Sequence, residues 1–109
     1  MNRYVLALDL VNNKECIEAY EYYHQNVWPE IKDSILASGI LEMEIYRIEN
    51  RLFMIIEVNK EFSFEKKALM DSNNIKVQEW EQLMSTYQVV IPGAAAGEKW
   101  VLMKKIFEL

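Results

Sequence analysis

Apolar side chains recur with period two over residues 4–11, with Leu6, Leu8 and Leu10 on one side and Val5, Ala7 and Asp9 on the other, which predicts a strand. The period then lengthens. Asn12 and Asn13 offer a helix cap, and residues 14–25 set Ile17, Tyr20 and His24 at the three- and four-residue spacing of an amphipathic helix. Pro29 has no amide hydrogen and belongs in the first turn of a new helix, so a break is expected at residues 26–28 and a second helix over 29–38, closed by Gly39. Residues 40–48 and 52–58 read as two strands rich in Ile, Val and aromatic residues, joined at hairpin length by Glu49-Asn50-Arg51. Residues 62–71 are helix-like, Ser72-Asn73-Asn74 interrupts, and residues 75–87 resume with Val77, Trp80, Leu83 and Met84 on one side. Residues 89–97, with Pro92, Gly93, three alanines and Gly97, read as a loop, and residues 100–109 alternate as a final strand.

The order is β, α, β, β, α, β, which predicts an α+β domain of the ferredoxin-like type, a four-stranded antiparallel sheet with helices on one face. The uncovered face of such a sheet needs water or a partner. Its strands alternate apolar with apolar, so a dimer that buries this face is expected.

Composition narrows the picture. At 109 residues and 51% hydrophobic, residues 1–109 are expected to form one domain. The net charge of -5 argues against nucleic acid or an anionic membrane surface as partner, since either calls for a basic patch to displace counterions. Lysines and arginines are scattered apart from Lys66-Lys67 and Lys104-Lys105. The lone Cys16 cannot form a disulfide within the chain, no signal-peptide pattern opens it, and no apolar run approaches the roughly 20 residues of a membrane span, so a cytoplasmic setting is expected.

Candidate chemistry concentrates at residues 20–30, which hold the only histidine, three of six tyrosines and one of three tryptophans. On one helix, Tyr20 and His24 project side by side, about 5–6 Å apart at Cβ. Cys16 lies two turns from His24 and no nucleophile elbow is present. One His and one Cys give no metal-ligand spacing, and Gly39, Gly93 and Gly97 form no phosphate-binding loop. General acid–base catalysis is left, because an imidazole titrates near neutrality at about 6.5. Against it stands plain burial, with Tyr20 and His24 packed on the sheet. Trp28, Phe64 and Trp80 are equally open to two roles, core packing or a platform for the apolar face of a sugar.

Two segments, Tyr20-x-x-x-His24-x-x-x-Trp28-Pro29-Glu30 and Gln78-Glu79-Trp80 ahead of Leu83-Met84, resemble the L-rhamnose mutarotase family, with Gly39, Tyr46 and the strand at 53–58 following in the family's order. The resemblance implies small cytoplasmic enzymes whose ferredoxin-like domains pair into a dimeric α/β barrel and which need no cofactor. It further implies that His24 donates the proton and that Tyr20 binds the sugar beside it, with Tyr20 or Glu81 as the second catalytic acid–base group, and that Trp28, Met43, Tyr46, Phe64, Trp80 and Glu81 contact a monosaccharide. The family pattern departs at Met43, where it has a tyrosine, and at Glu81, where it has a second tryptophan. The implied activity is interconversion of the α and β anomers of L-rhamnose or a related 6-deoxy or neutral aldose. Two alternatives share the fold: a haem-degrading monooxygenase using the His and a Trp, and a non-catalytic dimeric module that binds a small ligand.

Overall fold

In the computed structural model, which describes residues 2–109, three helices start where a side chain accepts from free amides and one starts on a proline, which has no amide hydrogen to satisfy. The Asn13 side chain accepts from the amides of Glu15 and Cys16 to open α1 (Lys14–Gln25). Pro29 takes the first turn of α2 (Pro29–Ala37). Ser63 caps α3 (Phe64–Ser72) through the amide of Lys66, and Asn74 caps α4 (Ile75–Ser85) through those of Lys76 and Val77. Gly39 ends α2 at φ 101°, a backbone region open to glycine at little steric cost. An added Cβ there would sit 2.7 Å from Asn59 Oδ1.

Strands β1 (Asn2–Leu10), β2 (Ile40–Ile48) and β3 (Arg51–Val58) form the antiparallel heart of the sheet in the order β2-β3-β1. Ile48 pairs with Arg51, so the hairpin turns on Glu49 and Asn50, with Glu49 at φ 52°. The fourth lane differs from the single expected strand. β4 (Gln88–Val89) pairs with Leu10 and Asp9, β5 (Val101–Leu102) pairs with Ala7 and Leu6, and residues 90–100 leave the sheet between them. One strand lane is thus split by an excursion. The expected strand over 100–109 is corrected accordingly: the Met103 amide still reaches Val5 O at 2.8 Å, but residues 103–109 carry no strand structure. Lys104 and Lys105 stand side by side there, so neither face of the tail is apolar for long enough to hold it down.

Even-numbered residues of β1 and β3 face the helices. Leu8, Leu10, Ile40 and Val58 are fully buried, and Leu52, Ile56, Tyr20, Ile31, Val77, Trp80 and Met84 complete the core. The opposite face carries Val5 across from Ile55 and Ala7 across from Phe53. Ion pairs frame that apolar strip, Arg51 to Asp9 and Arg3 to Glu57, both at 2.7 Å. The sheet of one copy is open, since among the described residues no strand bonds β2 to the β4 edge, and the antiparallel α+β architecture is the expected ferredoxin-like one.

Candidate active site

Between the inner sheet face and the four helices lies a cavity of about 480 Å³, within the size range of small-molecule sites. Its floor is apolar: Leu6, Met43, Ile45, Met54 and Ile56 rise from the strands. The helices supply the polar groups. α1 contributes Tyr20 and His24, α3 contributes Phe64, Lys67 and Asp71, and α4 contributes Trp80 and Glu81. Gln88 of β4 and Gly97, Lys99 and Trp100 of the 90–100 excursion complete the wall.

The four-residue spacing within α1 sets the central geometry. The rings of Tyr20 and His24 stack with centroids 4.3 Å apart, and His24 meets the edge of Trp80 at 5.6 Å. His24 Nδ1 lies 2.9 Å from the Tyr20 carbonyl oxygen. A carbonyl only accepts, so Nδ1 carries the hydrogen and Nε2 holds the lone pair of the neutral ring. Burial pushes the imidazole below its usual pKa, with the Tyr20 carbonyl bond opposing, so the ring is neutral at pH 7. Burial drives the Tyr20 phenol up to about 12, eased by a bond from Gln88, so it remains a protonated donor. Gln88 Nε2 donates to that phenol oxygen at 3.4 Å.

Glu81 stands in the same wall. Burial raises its pKa, the nearby Asp71 carboxylate raises it further, and Lys99 and Lys67 pull it back. Lys67 and Asp71 form a half-buried ion pair at 2.6 Å along α3.

Of the residues singled out by sequence, the cavity gathers Tyr20, His24, Met43, Phe64, Trp80 and Glu81. Trp28 is not among its lining; it packs behind Trp80, ring centroids 5.1 Å apart, and so supports the wall from outside. Tyr46 belongs to the other face. It pairs with Phe53, its hydroxyl bonds Glu44 at 3.1 Å, and it is 54% exposed. The one-residue bulge between Ile40 and Glu42 shifts β2 by a single position, so Met43 and Ile45 turn inward and Tyr46 outward. Lys67, Asp71, Gln88, Lys99 and Trp100 were not among the site residues expected from sequence. The four-residue spacing of Lys67 and Asp71 was a visible signal of an ion pair, whereas the other three depend on the split fourth lane.

Similarity to known proteins follows the same geometry. A family model for L-rhamnose mutarotase matches residues 3–109. The L-fucose mutarotase of Xanthomonas campestris is 39% identical over 111 residues, covering 100% of this chain and 89% of that protein. The crystal structure of an L-rhamnose mutarotase from Formosa agariphila superposes with a TM-score of 0.73 at 21% identity, covering 100% of this chain and 99% of the other. A dimeric ferredoxin-like protein from an uncultured marine organism superposes at 0.55 with 13% identity, over 98% of this chain and 90% of its own, in keeping with the ferredoxin-like architecture. With a family model spanning nearly its whole length and a relative at 39% identity, the chain belongs to the L-rhamnose mutarotase family.

Proposed function

We propose that this protein is an isomerase that interconverts the α and β anomers of L-rhamnose, L-fucose or a related 6-deoxy or neutral aldose by acid–base ring opening. The observation that carries the proposal is His24, held by its Nδ1 on a backbone carbonyl in a cavity of monosaccharide scale, with Nε2 left for proton transfer. The 39% identity to an L-fucose mutarotase supports a deoxy sugar, and the Met43, Ile45 and Met54 floor suits the methyl group at C6.

Ring opening removes the proton of the anomeric hydroxyl and delivers one to the ring oxygen as the C1–O5 bond breaks. The aldehyde turns about C1–C2, the O5 hydroxyl attacks its other face, and both protons return, so nothing is consumed and no cofactor is required. Two groups must trade protons through the sugar. We assign them to His24 and Glu81, whose pKa values are shifted toward each other, the imidazole down and the carboxyl up. These opposite shifts narrow the gap between the two groups and so lower the free-energy cost of passing a proton from one to the other. Tyr20, with its pKa near 12, holds the sugar as a hydrogen-bond donor instead of titrating. Trp80, 8% exposed, backs His24 and offers its ring to the sugar's C–H face.

The open face of the sheet completes the proposal. Val5, Ala7, Phe53 and Ile55 form an apolar strip that a second copy would cover, giving a homodimer in the cytoplasm. Saturation-transfer NMR of the anomeric protons of L-rhamnose, L-fucose and neutral aldoses tests the activity, with accelerated α to β exchange as the expected result. No acceleration with any of these sugars refutes it. Sugar-dependent thermal stabilisation without exchange would mark a binding module instead.

A further inference from the structure

Gln88 sits on the two-residue strand β4, across from Leu10, where the sheet delivers it to the cavity beside Tyr20. Its amide is divided. Nε2 donates to the Tyr20 phenol at 3.4 Å, while Oε1 is sealed from solvent and has no hydrogen-bond partner among the described residues. A buried acceptor left unmade is costly, and native chains rarely keep one without a use. Nε2 and Oε1 are the two ends of one planar amide, so with Nε2 on the Tyr20 phenol the carbonyl stays available only to a donor that reaches it from the cavity side.

The donor end has a second consequence. Because Gln88 gives a hydrogen to the Tyr20 oxygen, the phenol's own hydrogen points elsewhere, and no acceptor among the described residues takes it. Tyr20 and Gln88 together therefore present one unspent donor and one unspent acceptor at one end of the cavity, the pattern that suits neighbouring hydroxyls of a sugar.

We propose that Gln88 is a specificity-determining residue of this site: its amide nitrogen aims the Tyr20 hydroxyl at the substrate, and its carbonyl oxygen accepts a hydrogen bond from one sugar hydroxyl. This rests on the mutarotase reading above and deepens it, adding to the family's Tyr and His a reader of the sugar's hydroxyl pattern that comes from β4.

The test compares wild type, Gln88→Met and Gln88→Glu on a parent sugar and its series of monodeoxy analogues, by anomeric exchange and by sugar-dependent thermal shift. Methionine keeps the length and removes both polar ends. Gln88→Met is expected to lose about 10-fold or more in kcat/KM on the parent, in line with an unpaired sugar hydroxyl. On one deoxy analogue, the one lacking the partner hydroxyl, the gap between wild type and Gln88→Met should narrow to the loss that comes from the unaimed Tyr20 hydroxyl alone. Glutamate keeps an acceptor but gives the phenol no hydrogen, so it should also lose activity. An equal loss across every sugar would assign Gln88 to packing and overturn the proposal, as would wild-type rates in Gln88→Met. Near wild-type activity in Gln88→Glu would overturn the stated orientation of the amide. If wild type exchanges no anomers but its thermal shift survives in Gln88→Met, both readings fall. If the shift is lost only on hydroxyl-bearing sugars, the Gln88 proposal stands without the catalytic one.

Discussion

Replacing His24 by alanine separates catalysis from packing because its two contributions have different sizes. A positioned proton transfer is worth roughly 10²–10⁴ in rate. At 1.36 kcal/mol per decade that is about 2.7–5.4 kcal/mol of barrier. The structural cost is smaller. The ring stacks on Tyr20 at 4.3 Å, meets Trp80 edge-on at 5.6 Å, and bonds the Tyr20 carbonyl. An aromatic contact is worth about 0.5–1.5 kcal/mol and a neutral hydrogen bond about the same. Two such contacts and one hydrogen bond sum to about 1.5–4.5 kcal/mol, a loss that still leaves a domain of ordinary stability, about 5–15 kcal/mol, folded. His24→Ala should therefore keep a native circular dichroism spectrum and a cooperative urea transition while anomeric exchange falls at least 100-fold.

The pH dependence sharpens this. The folded-state pKa of His24 lies below its unfolded value near 6.5, so between the two the unfolded chain binds the extra proton. The stability linked to this group is full above about 6.5 and is lost as pH falls through the folded-state value. Exchange by wild type should decline on the acid side of 6.5, and His24→Ala should lack that part of the stability slope. Exchange within three-fold of wild type in folded His24→Ala would refute the assignment of His24 as a proton-transfer group.

Three further outcomes are expected. Gly39→Ala forces a left-handed backbone and a Cβ 2.7 Å from Asn59 Oδ1, which should cost about 1–3 kcal/mol in urea denaturation. Asn13→Ala removes the cap that serves Glu15 and Cys16, costing about 0.5–2 kcal/mol by the same measurement. Glu81→Gln removes a carboxylate whose ionisation the fold disfavours, so it should raise Tm at pH 7 and have no such effect below pH 4.5; it should also slow anomeric exchange, and a rate equal to wild type would exclude Glu81 as the second proton carrier.

Much of this molecule follows from local pattern. Leu6, Leu8 and Leu10 alternate because a strand has period two, Asn13 caps because its side chain meets free amides, and Pro29 and Gly39 bound a helix for backbone reasons alone. The Tyr20–His24 pair was legible too, since four residues is one turn. Tertiary structure decided the rest. A one-residue bulge in β2, set by pairing with β3, turned Tyr46 away from the cavity and Met43 into it, which no reading of residues 40–48 alone reveals. The split fourth lane arises because both Gln88–Val89 and Val101–Leu102 find places along β1, and only that distant pairing carries Gln88, Lys99 and Trp100 to the site. The pKa directions of His24 and Glu81 likewise come from burial, which depends on neighbours far along the chain. Sequence alone determined which groups can do chemistry, because that resides in residue type and helical spacing. Which of them share a cavity was decided by strand register, because register is set between segments and not within them.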